Sequence, residues 1–253
     1  GNAEERIKED YLRILRYIRF FINYSKFDHD TSIKKIIKKN ITGIKYLSNE
    51  RLLSELKKII ITKNFLNIIK DGFLLEIILL IFPQLESISR LKKLNEYSMK
   101  IFPSKDSIFK LALLVIDDSD NIDFFLYKFH FSNDEKKRIL FLKNAFKNLN
   151  DKKYFSEKNL CEIFYFYGKE YLIDLVDFKI FNSKKVDKKL LSLKNIIITK
   201  GRPVFPIKAK DLMKNYHLKE GKELGNKLKK IEKVWIDNSF NISNIEIENI
   251  IYN

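Results

Sequence analysis

Glu9-Asp10-Tyr11-Leu12-Arg13-Ile14-Leu15-Arg16-Tyr17-Ile18-Arg19-Phe20 is the stretch whose reading decides the fold. Leu12, Leu15 and Ile18, with Ile14 and Ile22 beside them, recur at three- and four-residue steps, which predicts a helix with one buried face. The opposite face is charged. Arg6 to Asp10 and Glu9 to Arg13 are four apart and Asp10 to Arg13 three apart, so each couple can meet on one helix. Arg16 and Arg19 extend the basic stripe. Two readings compete for this face. One is a solvated helix laced with ion pairs, each contributing about 0.2–0.5 kcal/mol. The other is recognition, because a carboxylate beside a guanidinium offers acceptors and a donor fork in one plane, as the Watson–Crick edge of a base requires.

Composition extends the helical reading to the whole chain. Seven glycines and four prolines in 253 residues are too few for turn-dense β architectures. The expectation is therefore all-α, an elongated array of many helices joined by short loops. A formal net charge of +16 points to a polyanionic partner, since clustered Lys and Arg gain affinity by releasing phosphate counterions. Enrichment in Ile, Lys and Asn means that part of this charge is spread over indifferent surface. The longest apolar run, Phe73 to Phe82, contains Glu76 and ends at Pro83, too short to span a bilayer. Cys161 is the single cysteine, which excludes an internal disulfide and suits a reducing, cytoplasmic setting. Its apolar neighbours Ile163, Phe164 and Phe166 make it a core residue by default. No signal peptide is read at the start, where Glu4, Glu5, Arg6 and Lys8 precede any apolar run.

Along the chain, Ile33 to Tyr46 continues at helical spacing with a late kink at Gly43, and Ser48 is placed to cap a helix carrying Leu52, Leu53, Leu56, Ile59 and Ile60. Arg51 and Glu55, four apart on that helix, would most simply pair with each other. Further helices are expected at about 65–82, 87–101, 105–116, 122–131, 134–149, 156–167, 169–181 and 184–199, with Ser104, Ser132 and Asn133 as caps. A loop over 200–206 follows. Leu224, Leu228, Ile231 and Trp235 then form the core stripe of a last long helix opened by Gly221. Free amides at its first turn, flanked by Lys219, Lys222, Lys227 and Lys229, make a seat for an RNA phosphate. In the plainer reading Gly221 is only a turn and Gly225 a close-packing position.

Three of these stretches carry a resemblance. Glu9-Asp10-x-x-Arg13, entered by Gly1-Asn2-Ala3-Glu4-Glu5-Arg6-Ile7 and continued by Leu-Arg-x-x-Arg-Phe, resembles the base-templating motif of the bacterial-type (class II) tRNA nucleotidyltransferase and poly(A) polymerase family. Ser48-x-Glu50-Arg51-Leu52-x-x-Glu55-Leu56 resembles the neck motif that supports its nucleotide pocket. Pro206-Ile207-x-x-x-Asp211-Leu212-Met213, with Leu218-x-x-Gly221-x-x-Leu224-Gly225-x-x-Leu228-x-x-Ile231-Glu232-x-x-Trp235, resembles its tail signature. Ala209 and His217 depart from that signature, each standing where a glycine is usual.

The resemblance implies a division into a neck with the templating helix (1–62), a helical body (63–155) and a tRNA-binding tail (156–253). It implies that Asp10 and Arg13 pair with incoming CTP or ATP, with Glu9 and Arg16 in the same nucleotide-binding set. The implied partner is tRNA, through its acceptor and TΨC arms, with no membrane. Nucleotidyl transfer needs carboxylates holding two metal ions, which the family supplies from an N-terminal head with a Gly-rich turn and Asp-x-Asp. Neither element is read here, since Asp118-Ser-Asp120 and Asp28-His-Asp30 read as polar loops. His29, His130 and His217 are scattered. The chain is thus expected to hold no catalytic or metal-binding residue of its own, with Mg2+ bound in a missing head. The implied function is base selection and tRNA binding during CCA addition. A poly(A) polymerase part and a non-enzymatic helical RNA- or protein-binding module are the alternatives.

Overall fold

The computed structural model describes residues 2–252; Gly1 and Asn253 lie outside the described residues. All regular structure among the described residues is helical. Along the chain run α1 (Ala3–Glu9), α2 (Leu12–Tyr24), α3 (Thr31–Asn40), α4 (Asn49–Ile60), α5 (Gly72–Ile81), α6 (Glu96–Ile101), α7 (Ser107–Val115), α8 (Asn121–Lys128) and α9 (Asn133–Lys147). After them come α10 (Glu157–Tyr167), α11 (Lys169–Phe181), α12 (Lys188–Lys200), α13 (Ala209–Tyr216), α14 (Lys222–Asp237) and α15 (Asn244–Tyr252). The all-α expectation holds, and no described helix is long and apolar enough to cross a membrane.

Two compact units divide the chain. The first takes everything through Asn150 together with Asp174–Asp187; the second takes Asp151–Ile173 and the chain from Lys188 on.

The first unit is built around α7, where every residue from Ile108 to Val115 is buried. It packs against the 83–93 segment, α9 and α4. Phe109 meets Phe178 and Phe181 edge-on, with ring centroids 6.2 and 5.3 Å apart. Arg138 on α9 ties Asp106, which caps α7, to Asp174 at 2.7 and 2.5 Å. Because Asp174 is buried beside this guanidinium, deleting Arg138 would strand a buried carboxylate.

Several helices start and stop away from where the apolar periodicity places them. The Glu9–Phe20 stretch is two helices, because Asp10 leaves helical geometry at φ −151°, ψ 103°. Its Oδ1 then accepts from the Leu12 amide at 3.1 Å, so Asp10 ends α1 and supplies a side-chain acceptor to the start of α2. The stretch 65–82 splits into a 3-10 segment, Phe65–Ile69, and α5, because Asp71 caps a new start by accepting from the Leu74 amide. Pro83 opens another 3-10 segment, Pro83–Lys93, and Asn95 restarts the chain as α6. Capping falls to Ser48, Ser132 and Ser156, and to Asp106 in place of Ser104.

His29 is no free linker residue. Its ring is within hydrogen-bond distance of Tyr17 (2.6 Å) and Asp71 (2.8 Å) and stacks on Phe21 with centroids 3.5 Å apart. It thereby pins the α2–α3 connection to the start of α5.

The second unit buries Leu212, Leu224, Ile231, Ile247 and Ile251 from α13, α14 and α15. Trp235 adds an aromatic cluster with Tyr165, Phe205 and Phe240. His217 ends α13 in the left-handed region (φ 52°), the conformation that the usual glycine would supply. Gly225 is exposed and an added Cβ there would meet nothing, so it is not a close-packing position. Cys161 is only half-buried; burial and then Glu157 push its thiol up, away from the reactive thiolate.

Candidate functional site

The break between α1 and α2 organises the first candidate site. Asp10 projects there with its side chain 23% exposed, and Arg51 of α4 donates from one nitrogen to both of its oxygens at 3.0 Å. With the Leu12 amide on Oδ1, three of roughly four acceptor positions of the carboxylate are filled and one is open. Arg13, in the first turn of α2, reaches back to Glu9 at 3.1 Å. Arg16 is exposed and has neither an ion pair nor a hydrogen bond among the described residues.

Arg51 and Glu55 of α4 therefore do not pair with each other, which corrects the expectation from their spacing. Arg51 reaches Asp10, and Glu55, 1% exposed, accepts from Arg19 Nε at 2.5 Å with Lys58 at 3.6 Å. The two pairs, one turn apart on α4, tie the α1–α2 break and α2 to that helix. Asp10 likewise takes Arg51 rather than Arg6. Sequence spacing favours the pair within one helix; a partner 41 residues away leaves no local signal.

Tyr11, inside the break, lies flat on Gly43. A Cβ at Gly43 would stand 2.0 Å from the Tyr11 ring. This close approach, rather than a kink, is what the glycine serves in the 3-10 segment Ile41–Tyr46. Gly43→Ala must push the ring out and disturb the Asp10 turn, at a cost of about 1–3 kcal/mol. Urea unfolding measures it, and an unchanged midpoint would refute the packing role.

The second candidate site lies at the start of α14. Gly221 precedes the helix at φ 155°, ψ −172°, a conformation essentially reserved for glycine, and no side chain caps the first-turn amides. Lys219, Lys222 and Lys229 are exposed and have no ion pair among the described residues. Lys227 is turned inward instead. Its ammonium donates to the Ile251 carbonyl at 2.5 Å and to the Ile250 carbonyl at 3.4 Å, satisfying the carbonyl end of α15. Position 227 falls on the inner side of the Leu224–Leu228–Ile231 stripe, a signal the sequence did carry.

Asp118 and Asp120 lie in an exposed turn whose neighbour Asp117 accepts from the Ser119 amide and hydroxyl. Among the described residues no group of three His, Cys, Asp or Glu side chains is placed to hold a metal ion.

Comparison with known proteins gives the family. Residues 101–246, more than half of the chain, match the tRNA nucleotidyltransferase domain 2 family. The chain belongs to that family and corresponds to the body and tail part of CCA-adding enzymes. It is 31% identical over 152 residues to the human mitochondrial CCA tRNA nucleotidyltransferase 1, a match covering 59% of this chain and 34% of that protein. In fold it is similar to the Bacillus stearothermophilus CCA-adding enzyme in complex with CTP (TM-score 0.65, 16% identity, 94% of this chain and 60% of that one). A comparable likeness joins it to the Thermotoga maritima CCA-adding enzyme complexed with tRNA (TM-score 0.61, 17% identity, 99% and 62%). The chain thus spans about a third of the human relative's length and about three-fifths of the two solved enzymes.

Proposed function

We propose that this chain selects the incoming nucleotide and holds tRNA in an enzyme that adds C, C and A to tRNA 3′ ends. The observation that carries this reading is the Asp10 carboxylate, fixed by Arg51 with one acceptor position open, one turn from the Arg13 guanidinium. An acceptor-only group at that place chooses between bases by elementary chemistry. Cytosine and adenine present an exocyclic amino donor where uracil and guanine present a carbonyl acceptor. The carboxylate therefore welcomes CTP and ATP and repels UTP and GTP. Arg13 donates to the unprotonated ring nitrogen beside the amino group, Glu9 orients Arg13, and Arg16 adds positive charge for the triphosphate.

The neck (1–62), body (63–155) and tail (156–253) divide this work, with Lys219, Lys222, Lys229 and the Gly221 turn holding the backbone of the acceptor and TΨC arms. Lys227 supports the tail core instead. The carboxylates that hold Mg2+ and carry the transfer belong to a catalytic head outside these 253 residues. The part of the relatives' length that this chain leaves unmatched supports that assignment.

The test is RNA binding by the 253-residue chain alone. A minihelix of acceptor and TΨC arms should bind with an affinity that falls steeply between about 50 and 200 mM salt. Replacing Lys219, Lys222 and Lys229 by Gln should flatten the slope of log K against log salt by about 2–3. Binding that ignores salt, or an unchanged slope, rejects the tail assignment. Failure to bind any RNA favours a protein-interaction module.

A further inference from the structure

We infer that the solvent face of α2 beyond Arg13 is a stacking platform for the single-stranded 3′ end of an RNA, built from Arg16, Phe20 and Tyr24. This rests on the RNA reading above and extends it to Phe20 and Tyr24, which that reading does not use. At 3.6 residues per turn, Arg13, Arg16, Phe20 and Tyr24 fall within an arc of about 80°. Large aromatics are normally withdrawn from water, yet Phe20 is 50% and Tyr24 74% exposed, and Phe27 just past the helix is 84% exposed. The Phe20 and Tyr24 rings are stacked, with centroids 6.0 Å apart and planes 29° apart. The Arg19 guanidinium lies 4.7 Å from the Phe20 centroid, and Arg16 and Lys26 are exposed cations alongside.

The chemistry of this face selects its occupant. It offers ring faces and cations and no exposed aliphatic side chain, which suits a nucleobase over the apolar stripe of a protein helix. Its charge is complementary to a phosphate backbone. Length agrees as well. Seven residues of helix separate Arg13 from Phe20, about 10 Å at 1.5 Å per residue, room for about three bases stacked ~3.4 Å apart. A base read at Arg13 and the last two or three nucleotides of the RNA would form one continuous stack ending on Phe20 and Tyr24.

Two fluorescently labelled hairpin RNAs test this by anisotropy on the 253-residue chain: one ends flush, and the other carries a three-nucleotide 3′ overhang ending in CC. The parent should bind the overhang RNA more tightly. Phe20→Ala with Tyr24→Ala should erase that preference, weakening overhang binding about tenfold or more while leaving the flush hairpin unaffected. Phe20→Tyr with Tyr24→Phe should preserve the preference, which separates stacking from a folding defect. Equal binding of both RNAs by the parent, or a preference that survives the alanines, overturns the platform alone and leaves the face as a protein-docking surface. A parent that binds neither RNA overturns the RNA reading and this inference with it.

Discussion

Asp10→Asn, placed in this chain with a nucleotidyltransferase head joined to it, is expected to let UTP and GTP compete with CTP and ATP. The carboxylate can only accept, whereas an amide can turn to present a donor, so a base carrying a carbonyl at that edge is no longer rejected. Discrimination should fall by about 1–3 kcal/mol, or roughly 5- to 150-fold in kcat/KM ratios. Arg51→Ala probes the same site from behind. Arg51 donates to both Asp10 oxygens and reaches the site from α4, so its loss frees the carboxylate to swing and should erode selectivity as well as rate. The two groups act as one unit, and the double variant should be little worse than Asp10→Asn alone. Steady-state kinetics with the four triphosphates decides. If both variants keep the preference for CTP and ATP and lose only thermal stability, the Asp10–Arg51 pair is structural and the templating proposal fails.

The periodic part of this fold is legible because a helix writes its buried face into the sequence at three- and four-residue steps. Leu12, Leu15 and Ile18 are buried where the stripe puts them, as are Leu224, Ile231 and Trp235. Caps are legible for a related reason: Ser48, Ser132 and Ser156 bond to amides three residues on, so the whole interaction lies within one short window. A 3-10 segment repeats every three residues and shares its apolar spacing with an α-helix over a turn or two, which is why 65–69 and 87–93 read as α. The interior of the candidate site is the least legible part. Glu9 and Arg13 meet within one window, but Asp10–Arg51, Arg19–Glu55 and Tyr11 on Gly43 join positions about 30 to 40 apart, and His29–Asp71 spans 42. Only packing brings those groups together.

Lys110→Met should make the first unit more stable, by about 1–3 kcal/mol at pH 7. Lys110 on α7 is 0% exposed, and its ammonium has one long hydrogen bond, 3.4 Å to the Pro103 carbonyl, and the Phe102 ring 4.8 Å away. The nearest carboxylate in sequence, Asp106, is already committed to Arg138 and to two helix amides. Burial pushes the Lys110 ammonium down to about 8, with Asp106 pulling weakly the other way. An unfolded lysine holds its proton to about 10.4. Between those values the unfolded chain binds the extra proton, so stability rises with pH from 8 towards 10, and below 8 the full penalty of the buried charge is present. That penalty is at most about 3 kcal/mol. Methionine fills a similar volume with no charge to bury, so the variant should gain stability at pH 7 and lose the rise above pH 8. Urea unfolding at pH 7 and 9.5 reads both effects, and this range stays below that of Tyr17 and Tyr97, which burial raises to about 12. A Lys110→Met chain less stable than the parent at pH 7 would mean that the contacts with Phe102 and Pro103 outweigh the cost of burying the ammonium.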